Sequence, residues 1–358
     1  MIPIRHRELT KGYRMPAEWA PHLATYLVWP HNRDTWPGTF ERIPPAFARL
    51  AAAIARFEPV RILVQDAAAQ AAAQAMVVAE LGKSGVAAAA ERLQFVPVAT
   101  NDSWIRDHGP IFINRRGAGA GPVQIALDWR FNSWGEKYGP WTLDDVVPRE
   151  LGLRFGFEVI EPGIVMEGGS IDVNGAGLVL TTEQCLLNPN RNPGLTRVAI
   201  EDYLTTYLGA EKVLWLGEGI AGDDTDGHVD DLARFVSADT IVTVVEPDPA
   251  DDNYRPLADN LRRLEAMRDR EGRAFKIATL PMPPALYHDG TRLPASYANF
   301  YIANGAVVMP HFDCPADLQA QEILGKLFPG RQVVGVPAID LVWGLGTVHC
   351  LTQQHPQP

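Results

Sequence analysis

The sequence predicts an α/β protein, and two observations support this prediction. Short apolar segments of strand length alternate with longer helical segments, and strand–helix units recur about every 50 to 70 residues. No Ser-, Gly- or Pro-rich linker divides the 358 residues. The polar segments considered below extend from residue 102 to residue 350, so that the whole chain has to assemble one site. We therefore expect a single catalytic domain over residues 1–358.

Each element is predicted from the composition and spacing of its apolar residues. Short apolar segments bounded by turn-forming residues predict buried strands, and Ala-rich or amphipathic segments predict helices. A polar loop at 102–107 follows one of the strands, and the Gly-Ala stretch at 117–121 predicts a loop between strands. The predicted strands are 26–29, 61–64, 92–98, 177–180, a pair within 233–245, and 305–310, and the predicted helices are 45–57, 67–81, 196–208, 254–268 and 316–328.

The composition limits the classes of partner. The chain is 46% hydrophobic and 21% charged, with a formal net charge of −11. An acidic protein without a run of Lys and Arg is a poor partner for nucleic acid, whereas its charge suits a small cationic ligand. No apolar segment has the length of a membrane span or follows the pattern of a signal peptide. We expect a cytoplasmic protein that binds neither nucleic acid nor membrane.

The three cysteines, Cys185, Cys314 and Cys350, are widely spaced and form no Cys-x-x-Cys pair. This odd number fits a reducing compartment better than a disulfide framework or a zinc ribbon. Cys350 follows Gly344 and Gly346, which have no Cβ and so allow the backbone to approach a ligand closely. A single free cysteine is more often a small buried hydrophobe than a nucleophile.

Three further polar segments contain glycine and could supply the partners of a nucleophile. His228 and Asp230 are one residue apart and would address the same face if their segment is extended. Asp107 and Glu167 also precede glycines. A thiol, an imidazole and several carboxylates on such loops favour covalent chemistry on a cation. Each segment alone also fits a simpler explanation: a capping turn around His228, a strand end at Glu167, or a local ion pair between Arg106 and Asp107.

Together the segments resemble the agmatine deiminases, which belong to the guanidine-modifying (pentein) superfamily with the peptidyl-arginine deiminase-like proteins. The resemblance covers almost the full length of the chain. It is carried by Met-Pro-Ala-Glu-Trp at 15–19, Trp-Pro at 29–30, Asn-Asp-Ser-Trp-Ile-Arg-Asp at 101–107, Phe-Asn-Ser-Trp-Gly at 131–135, Glu-Gly-Gly at 167–169, Thr-Asp-Gly-His-Val-Asp at 225–230 and His-Cys-Leu-Thr-Gln-Gln at 349–354.

The resemblance implies a five-bladed α/β propeller with pseudo-fivefold symmetry and an active site on its axis. In that site Asp107 and Asp230 would hold the guanidinium of the substrate. Cys350 would attack the guanidinium carbon to form an S-amidino intermediate. His228 would transfer the protons, and Glu167 would orient His228. Agmatine would be converted to N-carbamoylputrescine and ammonia, a reaction of putrescine and polyamine biosynthesis, without a metal or another cofactor.

Substrate choice would depend on residues further out. The resemblance places Asp224 at a position that contacts agmatine, where a carboxylate would attract its primary amine and disfavour the α-carboxylate of arginine. Trp104, together with Trp129 and Trp134, would form apolar walls, although tryptophans near loops are as often ordinary core residues. Leu345 and Thr347 interrupt a stretch that is commonly all glycine in this family.

Other functions stay open. The same fold would support a deiminase of peptidyl-arginine, arginine or methylarginine. A zinc hydrolase could use His228, Asp230, His349 and Cys350, although neighbours such as His349 and Cys350 would face opposite sides of a strand. A binding protein for cationic amines would need the carboxylates and no thiol. A homodimer is the assembly that the sequence leaves open.

Overall fold

The computed structural model describes residues 2–117 and 121–358, which form two compact units. The first unit contains the described residues up to Ala20, then Asp107–Thr279 and Pro358, and the second contains Pro21–Arg106 and Leu280–Gln357. Residues 118–120, in the Gly-Ala stretch predicted as a loop, lie outside the described residues.

The first unit is built on three small sheets. In each of the first two, an antiparallel pair is extended by a parallel strand, so that helices connect neighbouring strands. In sheet order, the strands are Tyr13–Arg14, Ile111–Arg115, Gln124–Leu127 and Glu158–Ile160; then Lys212–Leu216, Leu178–Thr182 and Ile171–Val173; then Ala233–Phe235, Thr240–Val245 and Lys276–Pro281. The last two residues of strand Lys276–Pro281 already belong to the second unit.

The three longer helices of the first unit bury apolar residues against these sheets. Helix Arg197–Leu208 begins at Thr196, whose hydroxyl caps the amide of Ala199 at 3.3 Å, and ends at Gly209 with φ of 65°. Its buried face, including Leu204 and Tyr207, joins a core of residues from the first two sheets. The other helices are Ile4–Leu9, Val147–Phe155, Glu183–Leu186 and Tyr254–Ala266.

The second unit contains a strand–helix–strand–helix–strand succession near the start of the chain. Strand His22–Val28 pairs in parallel with Val60–Val64, which pairs in parallel with Leu93–Pro97. Parallel strands need long crossovers, which helices Ile43–Ala55 and Ala67–Lys83 provide. The remaining elements are strands Gln353–Pro356, Tyr301–Ala303, Ala306–His311 and Gln332–Pro337, hairpin Tyr287–His288 with Thr291–Arg292, and helices Ala316–Leu327 and Ile339–Val342, while helix Ile105–His108 spans the boundary between the units.

The structure confirms the α/β class and every predicted strand and helix, with ends that differ by a few residues. A further strand, Ile171–Val173, lies between the Glu167 loop and the predicted strand at 177–180, which is observed as Leu178–Thr182. Two local predictions are wrong. The second half of the polar loop predicted at 102–107 belongs to the short helix Ile105–His108. His349 and Cys350 lie in a turn rather than on a strand. Within residues 2–117 and 121–358, no helix combines the length and hydrophobicity that crossing a membrane requires.

Candidate active site

A buried cluster of one imidazole and two carboxylates lies in the first unit. Asp107 lies in the short helix Ile105–His108, Glu167 precedes the 3-10 turn Gly168–Ser170, and His228 precedes the 3-10 turn Val229–Asp231. Nδ1 of His228 is 3.7 Å from Oδ1 of Asp107, and Nε2 is 4.0 Å from Oε2 of Glu167. The three predicted residues are therefore brought together, with the imidazole between the carboxylates.

Gly169 marks the point on which these side chains converge. A Cβ atom at this position would lie 2.5 Å from Nδ1 of His228, 2.9 Å from Oδ1 of Asp107 and 3.1 Å from Oδ2 of Asp230. The amide of Gly169 also donates a hydrogen bond to Oδ1 of Asp107 at 3.0 Å. His228 and Asp230 thus face one place, but through a 3-10 turn and not through the extended segment assumed from the sequence.

Burial and mutual charge set the protonation of the cluster. Burial raises the pKa of Asp107 to about 6, and Asp230 and Glu167 act in the same direction, whereas His228 and the indole N–H of Trp134 oppose the increase. Burial alone would lower the pKa of His228, but Asp107, Cys185 and Glu167 outweigh it and hold that pKa well above its usual range. Near neutral pH the cluster therefore favours an imidazolium beside an ionised Asp107.

Arg191 anchors Glu167 and was missed in the sequence analysis. Its buried guanidinium donates from Nε to Oε1 of Glu167 at 2.6 Å, from Nη1 to Oδ2 of Asp226 at 2.5 Å, and from Nη2 to the carbonyl of Thr225 at 2.7 Å. This network ties Glu167 to the loop that leads to His228. A lone arginine in a polar turn carries no signal in the sequence that would distinguish it from a surface residue.

The capping turn that the sequence suggested around His228 is present as well. Oδ1 of Asp223 accepts from the amide of Thr225 at 2.8 Å, and Oδ2 accepts from the amides of Gly227 and His228 at 2.9 and 3.1 Å. Asp223 is therefore a local capping residue that shapes the loop, as Asp commonly does in turns.

Asp224 lies outside the buried cluster, with 38% of its side chain exposed. Its carboxylate accepts hydrogen bonds from the Tyr138 hydroxyl and, at 3.3 Å, from the ammonium of Lys137. Both partners follow a left-handed turn, in which the four residues from Ser133 to Glu136 have φ values between 52° and 93°. The same turn directs Nε1 of Trp134 to Oδ2 of Asp107 at 2.9 Å.

Cys350 lies in the second unit, where 6% of the residue is exposed. The side-chain amide of Asn299 donates to its sulfur at 3.1 Å. The carbonyl oxygen of that amide accepts from the hydroxyl of Thr347 at 2.6 Å and from the backbone amide of His349 at 3.0 Å. These two contacts fix the orientation of the Asn299 amide, so that its N–H group faces the sulfur. Asn299 is a second residue that the sequence analysis missed.

One of the two residues that interrupt the glycine stretch has a structural explanation. Thr347 orients Asn299, whereas Leu345 adopts a left-handed φ of 69°, a conformation that favours glycine. Gly344 and Gly346 provide close approach, but to tryptophan rings: a Cβ would lie 2.5 Å from Trp36 at the first position and 2.5 Å from Trp104 at the second.

The tryptophans have three different surroundings. The Cβ that Gly346 lacks would also lie 3.1 Å from Cβ of Cys350, so Trp104 borders the predicted nucleophile through that glycine. Trp134 donates its hydrogen bond to Asp107 instead of serving only as an apolar wall. Trp129 belongs to the core of the first unit and packs edge-on against Tyr207, with 5.5 Å between ring centroids.

Comparisons with known proteins identify the family. The profile of the Porphyromonas-type peptidyl-arginine deiminase family matches residues 14–356. The agmatine deiminase of Pseudomonas syringae pv. tomato is 39% identical in an alignment that is 382 residues long and covers 100% of this chain and 99% of that protein. The solved agmatine deiminase of Enterococcus faecalis is 33% identical, with a TM-score of 0.87 over 97% of this chain and 96% of that one.

A solved agmatine deiminase of C. jejuni, described as having substrate bound, is 31% identical with a TM-score of 0.84, and 96% of each chain is covered. The similarity therefore extends across both units at the level of sequence and of structure. The chain belongs to the Porphyromonas-type peptidyl-arginine deiminase family and, within it, to the agmatine deiminases.

Proposed function

We propose that this protein hydrolyses agmatine to N-carbamoylputrescine and ammonia. The observation that carries the proposal is the convergence of His228, Asp107 and Asp230 on the backbone of Gly169. A guanidinium requires carboxylates along its N–H edges and an acid–base group beside its leaving nitrogen, and this arrangement offers both. The full-length similarity to agmatine deiminases supports agmatine as the guanidine.

The nucleophile in this proposal is Cys350. Its thiolate attacks the guanidinium carbon to form a tetrahedral adduct, and the bond to one terminal nitrogen then breaks, so that ammonia leaves and the S-amidino intermediate remains on the cysteine. The N–H group that Asn299 directs at the sulfur stabilises the negative charge of the thiolate before the attack. Water then hydrolyses the intermediate, giving the ureido product and restoring the thiol.

His228 transfers the protons in both half-reactions. Its raised pKa favours the imidazolium, which is the form that donates a proton to the departing ammonia. The neutral ring that remains accepts a proton from the hydrolytic water. Glu167 orients the ring and is itself held by Arg191 through its other oxygen. Arg191 is in this proposal a positioning residue, since it acts through Glu167.

Asp107 and Asp230 hold the guanidinium. Two hydrogen bonds, from the indole of Trp134 and the amide of Gly169, hold the two oxygens of Asp107 in place. In the substrate-free protein, with His228 beside it, the pKa of Asp107 is about 6, and a bound guanidinium favours its ionised form further. Substrate binding and ionisation of this carboxylate are therefore coupled.

Asp224 selects the far end of the substrate. Lys137 already contributes an ammonium to this carboxylate, and Asp226 accepts from the same ammonium at 3.0 Å. The primary amine of agmatine has the same charge and geometry as the lysine amine, and we infer that it takes the place of Lys137. The α-carboxylate of arginine would instead be repelled by Asp224. Trp104 provides an apolar wall for the tetramethylene chain.

We further infer that residues 1–358 act as one catalytic domain, because the family match over residues 14–356 and the alignment with the agmatine deiminase of Pseudomonas syringae pv. tomato run through both units. In the part of the chain that the structure describes, five sheets have three or four strands, which equals the number of blades in the propeller that the resemblance implies. The composition and the cysteine pattern support a cytoplasmic location, the resemblance supports a role in polyamine biosynthesis, and a homodimer stays open.

The test is a panel of guanidines: agmatine, arginine, a blocked peptidyl-arginine and butylguanidine, with ammonia and ureido product measured. A charge left without its partner typically costs several kcal/mol, so we expect agmatine to exceed arginine by roughly a thousandfold in kcat/KM. Asp224→Asn should weaken turnover of agmatine more than that of butylguanidine. Cys350→Ser should remain folded and lose turnover with every guanidine. Arginine turned over as efficiently as agmatine would contradict the specificity, and an active Cys350→Ser would contradict the mechanism.

A further inference from the structure

Cys185 is a fully buried thiol that the proposed mechanism does not use. It lies in helix Glu183–Leu186, whose N-cap is Thr182. The Thr182 hydroxyl accepts from the amide of Cys185 at 3.2 Å and donates to the carbonyl of Gly227 at 2.6 Å. The start of this helix is thereby linked to the residue that precedes His228, and the thiol is held against the imidazole.

Cys185, His228 and Glu167 form a compact set of donor atoms. One sulfur, one ring nitrogen and one carboxylate oxygen all lie within 4.8 Å of one another, and all three residues are buried. Among the described residues, Nε2 of His228 and Oε2 of Glu167 have no hydrogen-bond partner, while the other oxygen of Glu167 accepts from Arg191. These two atoms, Nε2 of His228 and Oε2 of Glu167, lie 4.0 Å apart beside the Cys185 thiol.

We propose that Cys185, His228 and Glu167 bind Zn²⁺ or a similar thiophilic divalent cation. A thiolate, an imidazole and a carboxylate are the ligand types that Zn²⁺ takes in proteins, and three of them leave a fourth position for water. Bonds of about 2.0 to 2.3 Å place zinc ligands roughly 3.5 Å apart, so the three donor atoms have to approach by only about 1 Å. Metal binding releases the thiol proton of Cys185 and the Nε2 proton of the His228 imidazolium to solvent, because the metal ligates a thiolate and a neutral imidazole.

This site inhibits the enzyme, a consequence that rests on the proposed function. A cation on Nε2 of His228 and on Glu167 removes the proton donor and the carboxylate that orients it. The cation is therefore an inhibitor and not a cofactor, and turnover belongs to the metal-free protein. Because the cation binds on the Nε2 side of the imidazole, with Glu167 and Cys185, it does not require the sulfur of Cys350.

The decisive experiment uses Co²⁺ as a spectroscopic substitute for Zn²⁺, in the Cys314→Ala/Cys350→Ala double variant. Cys185 is the single cysteine left in that protein, because the chain has three. We expect a thiolate-to-cobalt charge-transfer band and tetrahedral d–d bands, with competition by Zn²⁺ and none by Mg²⁺. Absence of the charge-transfer band from this folded double variant would overturn the proposal.

Cys185→Ala and Cys185→Ser are the matching variants, in which the band should disappear while Cys350 remains available. In activity assays, Zn²⁺ should inhibit the wild type reversibly, with EDTA restoring turnover. Its inhibition constant should increase at least about tenfold in the Cys185 variants, each compared with its own metal-free rate. Equal sensitivity of these variants, or a band that depends on Cys350, would assign the metal to the other thiol. A cobalt band in the double variant, together with a wild-type protein that has no activity on agmatine, would refute the proposed function alone.

Discussion

In our proposal, the reactivity of Cys350 depends on the neutral side-chain amide of Asn299. Asn299 is fully buried and gives the sulfur a hydrogen bond, while Thr347 and the backbone of His349 hold its carbonyl oxygen. A hydrogen bond to a charged group contributes about 1.5–3 kcal/mol. This free energy corresponds to a roughly tenfold to hundredfold increase in the population of the thiolate.

We therefore predict that Asn299→Ala lowers kcat on agmatine about tenfold or more and slows alkylation of Cys350 by iodoacetamide at neutral pH to a similar extent. Thr347→Val is the control, because it breaks the same network without removing the donor to the sulfur. Both variants should lose stability, but only Asn299→Ala should lose most of its alkylation rate. Equal alkylation rates in the two variants would assign Asn299 a purely structural role.

The pKa of Asp107 predicts how activity decreases on the acidic side of the pH profile. Its pKa of about 6 in the substrate-free protein means that it is protonated, and unable to hold a cation, below that pH. We expect kcat/KM for agmatine to fall as the pH drops through about 6, and kcat to fall only at lower pH, because bound guanidinium favours the ionised form.

Trp134→Phe provides the matched variant for this profile. It removes an N–H group that stabilises the ionised Asp107, so the inflection in kcat/KM should move to higher pH. The direction is specific, since damage to packing alone would lower the rate at every pH. An inflection that stays at the wild-type pH would show that Asp107 does not control this limb.

Residues of the site differ in how far the sequence could reveal them. Glu167 and His228 occur in short segments that resemble a known family, so that their neighbours identify them. Asn299 and Arg191 act by means of one hydrogen bond each to another site residue, and such contacts join positions distant in sequence. Neither the spacing nor the composition around these two residues indicates which polar partner they will meet.

At the scale of elements, the glycine turn after Glu167 is the most constrained part of the site. Gly169 does not have a positive φ, so its requirement is for space: the missing Cβ would overlap Nδ1 of His228. We predict that Gly169→Ala lowers kcat/KM by about 100-fold, because displacing a catalytic group by roughly 1 Å has an effect of that size.

Gly82→Ala is the control for this substitution, since a Cβ there meets no atom within 4 Å and helix Ala67–Lys83 favours alanine. It should keep full activity and gain a few tenths of a kcal/mol to about 1 kcal/mol in the free energy of unfolding. Circular dichroism and urea unfolding should show that Gly169→Ala remains folded. Wild-type kcat/KM in Gly169→Ala would show that His228 and Asp107 do not have to occupy their positions beside this glycine.

Helices and strands were predicted best where they are long enough to show the periodicity of their apolar residues. Helix Ala316–Leu327 has more than three turns, and its apolar residues repeat clearly. Strands such as Glu158–Ile160 have three residues, too few to show an alternation. The left-handed turn from Ser133 to Glu136 is unexpected for another reason, since three of its four residues carry a Cβ. The contacts of Trp134 and Tyr138, and a hydrogen bond from the amide of Gly135 to Oδ1 of Asn132 at 3.0 Å, hold that backbone.

For the whole molecule, the net charge of −11 predicts how salt affects the reaction. An acidic protein attracts a cationic substrate over distances comparable to the Debye length, so added salt should lower kcat/KM. The decrease should be steeper for agmatine, with two charged groups, than for butylguanidine, with one, and kcat should change little. Measurements between low and physiological ionic strength test this prediction. Parallel decreases for the two substrates would indicate a general salt effect on the enzyme instead of steering.

The carboxylates that converge on Gly169 also affect how the stability of this protein can be measured. Guanidinium chloride, a common denaturant, supplies the same planar cation that Asp107 and Asp230 are proposed to hold. A ligand that binds only the folded protein stabilises it, whereas the denaturant effect grows linearly with concentration. We expect low concentrations of guanidinium chloride to raise the melting temperature before higher ones lower it, and urea to lower it throughout. Replacing both aspartates by asparagine should abolish the initial rise, leaving two denaturants that differ only in strength.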